Sequence, residues 1–426
     1  MNNSTLATSS IQGRRVPYLV FATIALLILG LIYAWSIFAR PIGASFPEYG
    51  PLLPQVFQVS MFAFCLSAIP GSQIFGKVSP RAAIIVAAVL LGIGFFATSF
   101  LASWGIWVLF VFYGLFAGSG VGIGYNAIIS LVNPWFPDKT GLCSGVMMMG
   151  FGISSLVFGS MANAAFAIVD WTIVFIIVAV VGVVLLLAVA FVIKPAPRDF
   201  AAQLGLRGAV AATKESPTQG ENIFKTKGFW LFSTWLSIVV ACCLALIGSS
   251  AQGAAVFGYD ANFGALLVGL VATMNGISRI ANGAIFDKFG ILVVMRVNAF
   301  VTTLCMLGLA VSYSLAGQGV SPVLYVIAAI LVAYPYGSAP VMAAAFVRQR
   351  FGQASFAKNL GIVGCNIAVG SVINMVIGAV FGAPFAGNGV TIFGILTGLG
   401  IVAFIAAFAF GGTHNSDLAK ISTELQ

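Results

Sequence analysis

The chain has 426 residues, of which 60% are hydrophobic and only 7% charged, and a net charge of +9. A soluble globular protein carries roughly a quarter charged residues, so this chain lacks the charge to cover a water-exposed surface and its solvent is lipid. The excess of cations does not point to nucleic acid, because the cations sit in short gaps between apolar runs.

The first apolar run, Pro17 to Phe38, follows Arg14 and Arg15 as a signal peptide would. It is too long for the apolar region of such a peptide and no A-x-A site follows it, so it reads as a retained membrane helix. A spanning helix needs about 20 mostly apolar residues. Candidate spans lie at 17–39, 55–75, 81–101, 105–133, 141–166 and 171–194. After the polar stretch from Pro195 to Lys227, six more lie at 228–254, 262–286, 291–315, 322–347, 358–382 and 388–411. The predicted fold class is an all-α membrane protein with twelve transmembrane helices in two six-helix pseudo-repeats. Its parts are an N-terminal segment (1–16), a first bundle (17–194), a linker (195–227), a second bundle (228–411) and a tail (412–426).

Charge placement orients these spans. With the N-terminus inside, the outer loops hold Arg40, Glu48, Asp170 and Asp260, Arg279 lies within a span, and the remaining 17 of the 19 Lys and Arg fall on the inner side. This asymmetry follows the positive-inside rule and predicts an inner (cytoplasmic) membrane protein with both termini in the cytoplasm. The halves also resemble each other. The run Ile74-Phe75-Gly76-Lys77, between spans two and three, recurs as Ile285-Phe286-Asp287-Lys288, between spans eight and nine, 211 positions later. A duplicated six-span unit is how many secondary transporters are built, with the substrate site between the halves.

Few residues in the spans can carry chemistry. Cys65, Cys143, Cys242, Cys243, Cys305 and Cys365 lie in apolar segments without a C-x-x-C pair, and the single histidine, His414, is in the tail. Neither a zinc site nor a disulfide framework has the ligands it needs, and no cofactor is expected. Gly118, Gly120, Gly122 and Gly124 satisfy no G-x-G-x-x-G window and read as helix-packing residues. The exception to the apolar rule is Arg279, eight residues and about 12 Å before Asp287 along the eighth span. No acid in its own span neutralises it. A guanidinium near mid-membrane reads as the partner of an anion, whose carboxylate its planar fork matches. An arginine bonded to backbone carbonyls at a helix break is the alternative. Asn275, one turn earlier on the same face, can orient the guanidinium, bond a substrate oxygen or bond a neighbouring helix. Tyr33, Tyr125, Asn126 and Tyr336 are polar tips in apolar segments, suited to walling a cation off from water.

The stretch Tyr125-Asn-Ala-Ile-Ile-Ser-Leu-Val-Asn-Pro-Trp135-Phe136-Pro137-Asp138-Lys139-Thr-Gly141 resembles the segment after helix four in the oxalate/formate antiporter family of the major facilitator superfamily. Tyr33-Ala-Trp35, Asn275-Gly-Ile-Ser-Arg279 with Gly283, Asp287 and Lys288, and Ala357-Lys358-Asn359-Leu-Gly361 resemble its first, eighth and eleventh helices. The resemblance implies alternating access by two bundles around a central site for small carboxylates. It implies that Arg279 binds the carboxylate, that Tyr33, Tyr125 and Tyr336 line the pocket, and that the loops carrying Lys77, Arg81, Asp138, Lys139, Asp287 and Lys288 gate the inner side. The first loop departs from the family pattern, with Gly76 where Asp is usual. So does helix eleven, where the family's oxalate exchanger has a lysine and this chain has Ile367, beside Asn366, a further candidate for binding the substrate. One membrane cation for one carboxylate suggests a monoanion such as formate, lactate or pyruvate, and similarity to monocarboxylate transporters, which also use an Arg in helix eight, points the same way.

The expected function is secondary transport of monocarboxylates, by anion exchange or proton-coupled symport, in a chain acting as a monomer. Oxalate:formate antiport is the alternative within that class, and a transporter-derived membrane sensor the alternative outside it. A membrane enzyme would need an acid/base pair, a nucleophile dyad or a metal cluster in the spans, and an ATP-driven pump a G-x-x-x-x-G-K-[ST] segment; the sequence has neither.

Overall fold

The computed structural model describes residues 15–74, 79–137, 139–197, 200, 222–351 and 356–424. The first half contributes α1 (Arg15–Ser45), α2 (Leu53–Ile74), α3 (Pro80–Thr98), α4 (Leu109–Trp135), α5 (Cys143–Ala165) and α6 (Trp171–Val192). The second begins with α7 (Lys227–Ile247), prolonged after a break by a short helix, Ser250–Val256. A single 54-residue helix, Ala261–Ser314, comes next. At 1.5 Å per residue it would measure about 80 Å, against a hydrocarbon core of about 30 Å. It folds back at Gly290, whose φ of 77° and ψ of 175° belong to glycine alone. The eleven apolar helices of membrane-spanning length among the described residues therefore supply twelve spans, with α8 at 261–289 and α9 at 291–314. The set closes with α10 (Ser321–Phe351), α11 (Phe356–Phe381) and α12 (Gly389–Glu424). The helical backbone of α12 continues to Glu424, through the stretch read as a tail. That stretch carries no glycine after Gly412 and no proline to stop it.

Side chains sort as lipid demands. Val89, Ile177, Val184, Phe300 and Ile405 stand exposed on the outer surface, whereas Asn275, Ser278, Asn282, Asn298 and Thr302 are buried. Buried polar groups need partners, and Asn298 Nδ2 donates to Asn282 Oδ1 at 2.7 Å, tying α9 to α8. The glycines of α4 pack as expected: a Cβ on Gly118 or Gly122 would strike the backbone of α2, and one on Gly120 that of α3. At the surface, Asp170 caps α6 by accepting from the Thr172 hydroxyl and backbone N–H, which hold its carboxyl below the usual range.

Three spans depart from regular α-helix. α1 tightens to a 3-10 turn over Gly30–Ala34, and α4 and α5 widen to π-helix over Leu109–Ala117 and Ser155–Gly159. Such turns leave backbone and side-chain groups less regularly paired than an α-helix does, and the first of them carries Tyr33.

Candidate anion site at the centre of the spans

Arg279 and Tyr336 come from α8 and α10, which pack closely because Gly337 has no side chain: a Cβ there would collide with Ser278 and Asn275. Tyr33 enters from α1. Its hydroxyl lies 3.0 Å from that of Tyr336, so residues 303 positions apart share a hydrogen bond across the line between the first six spans and the last six. The two rings meet edge to face at 6.0 Å. Arg279 is a neighbour of both hydroxyls. Its Nε and Nη1 are buried and have no hydrogen-bond partner among the described residues.

Aromatic rings complete the enclosure. Phe151 of α5 packs edge-on against Tyr33 at 5.3 Å and Tyr125 at 4.9 Å, and Phe64 of α2 lies 5.9 Å from Tyr125. Sequence reasoning missed Phe64 and Phe151, because a phenylalanine in an apolar run carries no signal that separates a site wall from ordinary core. Asn275 is buried, its Oδ1 has no partner, and with Tyr33 and Ser250 it lines a cavity with room for about one water molecule. Arg279, Asn275, Tyr33, Tyr125 and Tyr336 thus converge.

Two other candidates point elsewhere in this conformation. Asn126 Nδ2 donates to Gly122 O of its own helix at 2.9 Å. Asn366 accepts from Ser237 Oγ at 3.0 Å and donates to Ser233 Oγ at 3.2 Å and Val363 O at 2.8 Å, which ties α11 to α7. Removing that amide leaves two serines unpaired in a dry interface, at about 1–3 kcal/mol each for an unsatisfied buried group. Asn366→Leu is expected to lower the thermal midpoint of the detergent-solubilised protein by several degrees, without changing relative preference among anions. A changed preference at unchanged stability would place Asn366 in the site instead.

Of the gating candidates, Lys77 and Asp138 lie outside the described residues. Arg81 donates from Nε to Ala190 O of α6 at 2.8 Å, with its guanidinium over the Phe191 ring. Lys139, Asp287 and Lys288 are exposed, and Lys288 Nζ stands 5.1 Å from the Phe289 ring centroid.

Among the described residues, other hydrogen bonds between the two sets of six spans also lie toward the face opposite the termini. Ser36 Oγ and Ser250 Oγ are 3.4 Å apart, Gln58 Nε2 donates to Leu244 O at 3.2 Å, and Asn163 Nδ2 donates to Asn262 Oδ1 at 3.0 Å. They form a neutral seam between Arg279 and that face.

The family model described as Major Facilitator Superfamily matches residues 16–373. The chain is 26% identical over 433 aligned residues to the oxalate:formate antiporter of Oxalobacter formigenes, covering 100% of this chain and 99% of that protein. It is 24% identical over 132 residues to monocarboxylate transporter 13 of Rattus norvegicus, covering 31% of this chain and 30% of that one. In fold it resembles the crystal structure of a D-xylose–proton symporter, with a TM-score of 0.69 at 15% identity, over 92% of this chain and 98% of that one.

Proposed function

The chain belongs to the Major Facilitator Superfamily and is a multi-pass secondary transporter rather than an enzyme; from that premise we propose that it carries small organic carboxylates, chiefly monocarboxylates of the formate, lactate and pyruvate type. The observation that carries this reading is Arg279, with two N–H groups buried and unpartnered beside the Tyr33–Tyr336 pair. A carboxylate supplies both the charge and the acceptors that such a fork lacks. Full-length similarity to an oxalate:formate antiporter and partial similarity to a monocarboxylate transporter support the substrate class. The Lys and Arg asymmetry supports an inner membrane location with both termini in the cytoplasm. Counterflow in proteoliposomes with a panel of labelled carboxylates tests the proposal, and indifference of the panel to the protein would refute it.

Within that class, a monoanion fits better than a dianion. Ile367 lies seven and eleven residues, close to two and three whole turns, before Asn374 and Gly378, so it shares the face of α11 on which these two line a cavity with Gln55 and Gln58 of α2. It is apolar where a second cation would neutralise a second carboxylate. Lactate, pyruvate or formate is therefore expected to compete for uptake more strongly than oxalate or malonate. Ile367→Lys is expected to shift preference toward dicarboxylates by about tenfold, one good charge-assisted contact. Strongest competition by oxalate in the unmodified protein would overturn the monoanion assignment.

A further inference from the structure

The neutral seam contains a pair of glutamines that the central site does not use. Gln58 of α2 is 3% exposed. Its Nε2 reaches across to Leu244 O of α7, while its Oε1 is buried with no partner. Gln55, one turn nearer the face opposite the termini, likewise has a buried, unpartnered Oε1. Both line a small cavity with Asn374 and Gly378 of α11 and with Pro384. The amide of Gln55 fills the space left by Gly378, where any Cβ would clash with it.

Two features of this arrangement belong to a contact made to be released. Leu244 O already accepts from Gly248 N at 3.2 Å, so it keeps a partner when Gln58 withdraws. Closing, by contrast, strands two amide oxygens, and opening would hydrate them. The balance of hydrogen bonds therefore favours breaking this seam over most buried contacts. Gln58 also stands on the same face of α2 as Cys65, seven residues and about 10 Å deeper. Cys65 is a neighbour of both Tyr33 and Tyr336. The face of α2 that carries the glutamine amides thus leads, at Cys65, to the tyrosine pair of the Arg279 site.

We propose that Gln58, assisted by Gln55, is an outer recruitment subsite for the carboxylate, closed here by the Leu244 carbonyl. When the seam opens, the Gln58 N–H groups lose Leu244 O and become the first donors a carboxylate meets before Arg279. Anion and carbonyl compete for the same donor, so occupancy at the mouth opposes reclosure until the anion moves inward. An amide suits a transient subsite: it donates hydrogen bonds without the full charge that would retain an anion short of Arg279. This inference rests on the carboxylate reading of Arg279.

The test measures initial uptake of a labelled monocarboxylate at each face separately, in right-side-out and inside-out vesicles. The variants are Gln55→Leu, Gln58→Leu and Gln58→Glu, each also labelled with a membrane-impermeant thiol reagent at a cysteine introduced at Asn262. Gln58→Leu is expected to raise KM about fivefold from the face opposite the termini, with KM from the other face and the maximal rate changed less than twofold. Gln58→Glu, which adds a repelling charge of nearly the same shape, is expected to raise that KM further, and Gln55→Leu to raise it less. A strut that merely holds the seam shut behaves differently. Its loss would increase thiol labelling at position 262 while leaving KM unchanged or equally changed at both faces, and that result overturns the subsite. Carboxylate uptake by the unmodified protein is read in the same vesicles, so failure of the carboxylate reading shows there independently of any glutamine.

Discussion

Arg279→Ala is expected to insert and fold yet to lose carboxylate uptake by at least about a hundredfold. The substitution removes two donors to a charged acceptor, each worth about 1.5–3 kcal/mol, and about 1.4 kcal/mol is a factor of ten. Arg279→Lys keeps the charge but replaces a planar fork with a point charge on a flexible stem, so a loss of about tenfold or more is expected even there. Insertion is expected to survive because the unmodified arginine contributes no hydrogen bond from Nε or Nη1 to the spans around it. Removing a guanidinium two of whose nitrogens are buried without partners among the described residues relieves a cost rather than creating one. The check pairs uptake in proteoliposomes with a size-exclusion profile of the purified variants. Near-normal uptake by a monodisperse Arg279→Ala protein would end the assignment of Arg279 as the anion site.

Uptake into vesicles preloaded with carboxylate is expected to exceed uptake into empty vesicles at least about tenfold, with a weaker dependence on an imposed pH gradient. The reason lies in the same guanidinium. When the site is empty, the bundles must rock around an unneutralised cation, and a centrally placed arginine costs about 2.5–3.5 kcal/mol on insertion scales. A bound carboxylate neutralises it and lets the site close from either face. A proton carried by the protein would need a titratable acid or histidine within the spans. In the sequence the ten carboxylates lie between the apolar runs or at their ends, and His414 follows the last of these runs. Proton symport with the proton borne by the substrate itself makes the opposite forecast. Uptake into empty vesicles driven fully by the pH gradient, with no acceleration by internal carboxylate, would establish that mechanism and reject obligatory exchange.

The central cluster was legible to different depths residue by residue. Arg279 announced itself, because a cation in an apolar run is conspicuous whatever surrounds it. Asn275 followed from helical spacing, since four residues place two side chains on one face before any packing is known. Tyr33, Tyr125 and Tyr336 were visible only as polar tips in apolar segments, and the candidates of that kind also included Asn126 and, beside Ile367, Asn366. Folding separated the list. Asn126 turns back to Gly122 of its own helix and Asn366 spends its amide on Ser233 and Ser237, whereas Tyr33 and Tyr336 meet across the molecule. An amide or hydroxyl in lipid takes whichever partner the neighbouring helix offers, and a single helix's sequence does not say which neighbour that is.

By itself, the sequence determined that this protein lives in lipid, crosses it about twelve times and carries an arginine, Arg279, inside an apolar run. These follow from a local free energy: each run of about 20 apolar residues partitions on its own account, and its backbone must close its hydrogen bonds within the helix. Even the turn that splits the 54-residue helix is written locally, in a glycine free to reach a φ of 77°. What only the tertiary structure decided is which polar atoms are left without partners. Among the described residues, Arg279 Nε and Nη1, Asn275 Oδ1 and the glutamine oxygens of the seam are orphans, because no described helix from another part of the chain brings them an acceptor or a donor. Satisfaction is a property of pairs, and the pairs here are drawn from residues as far apart as Tyr33 and Tyr336.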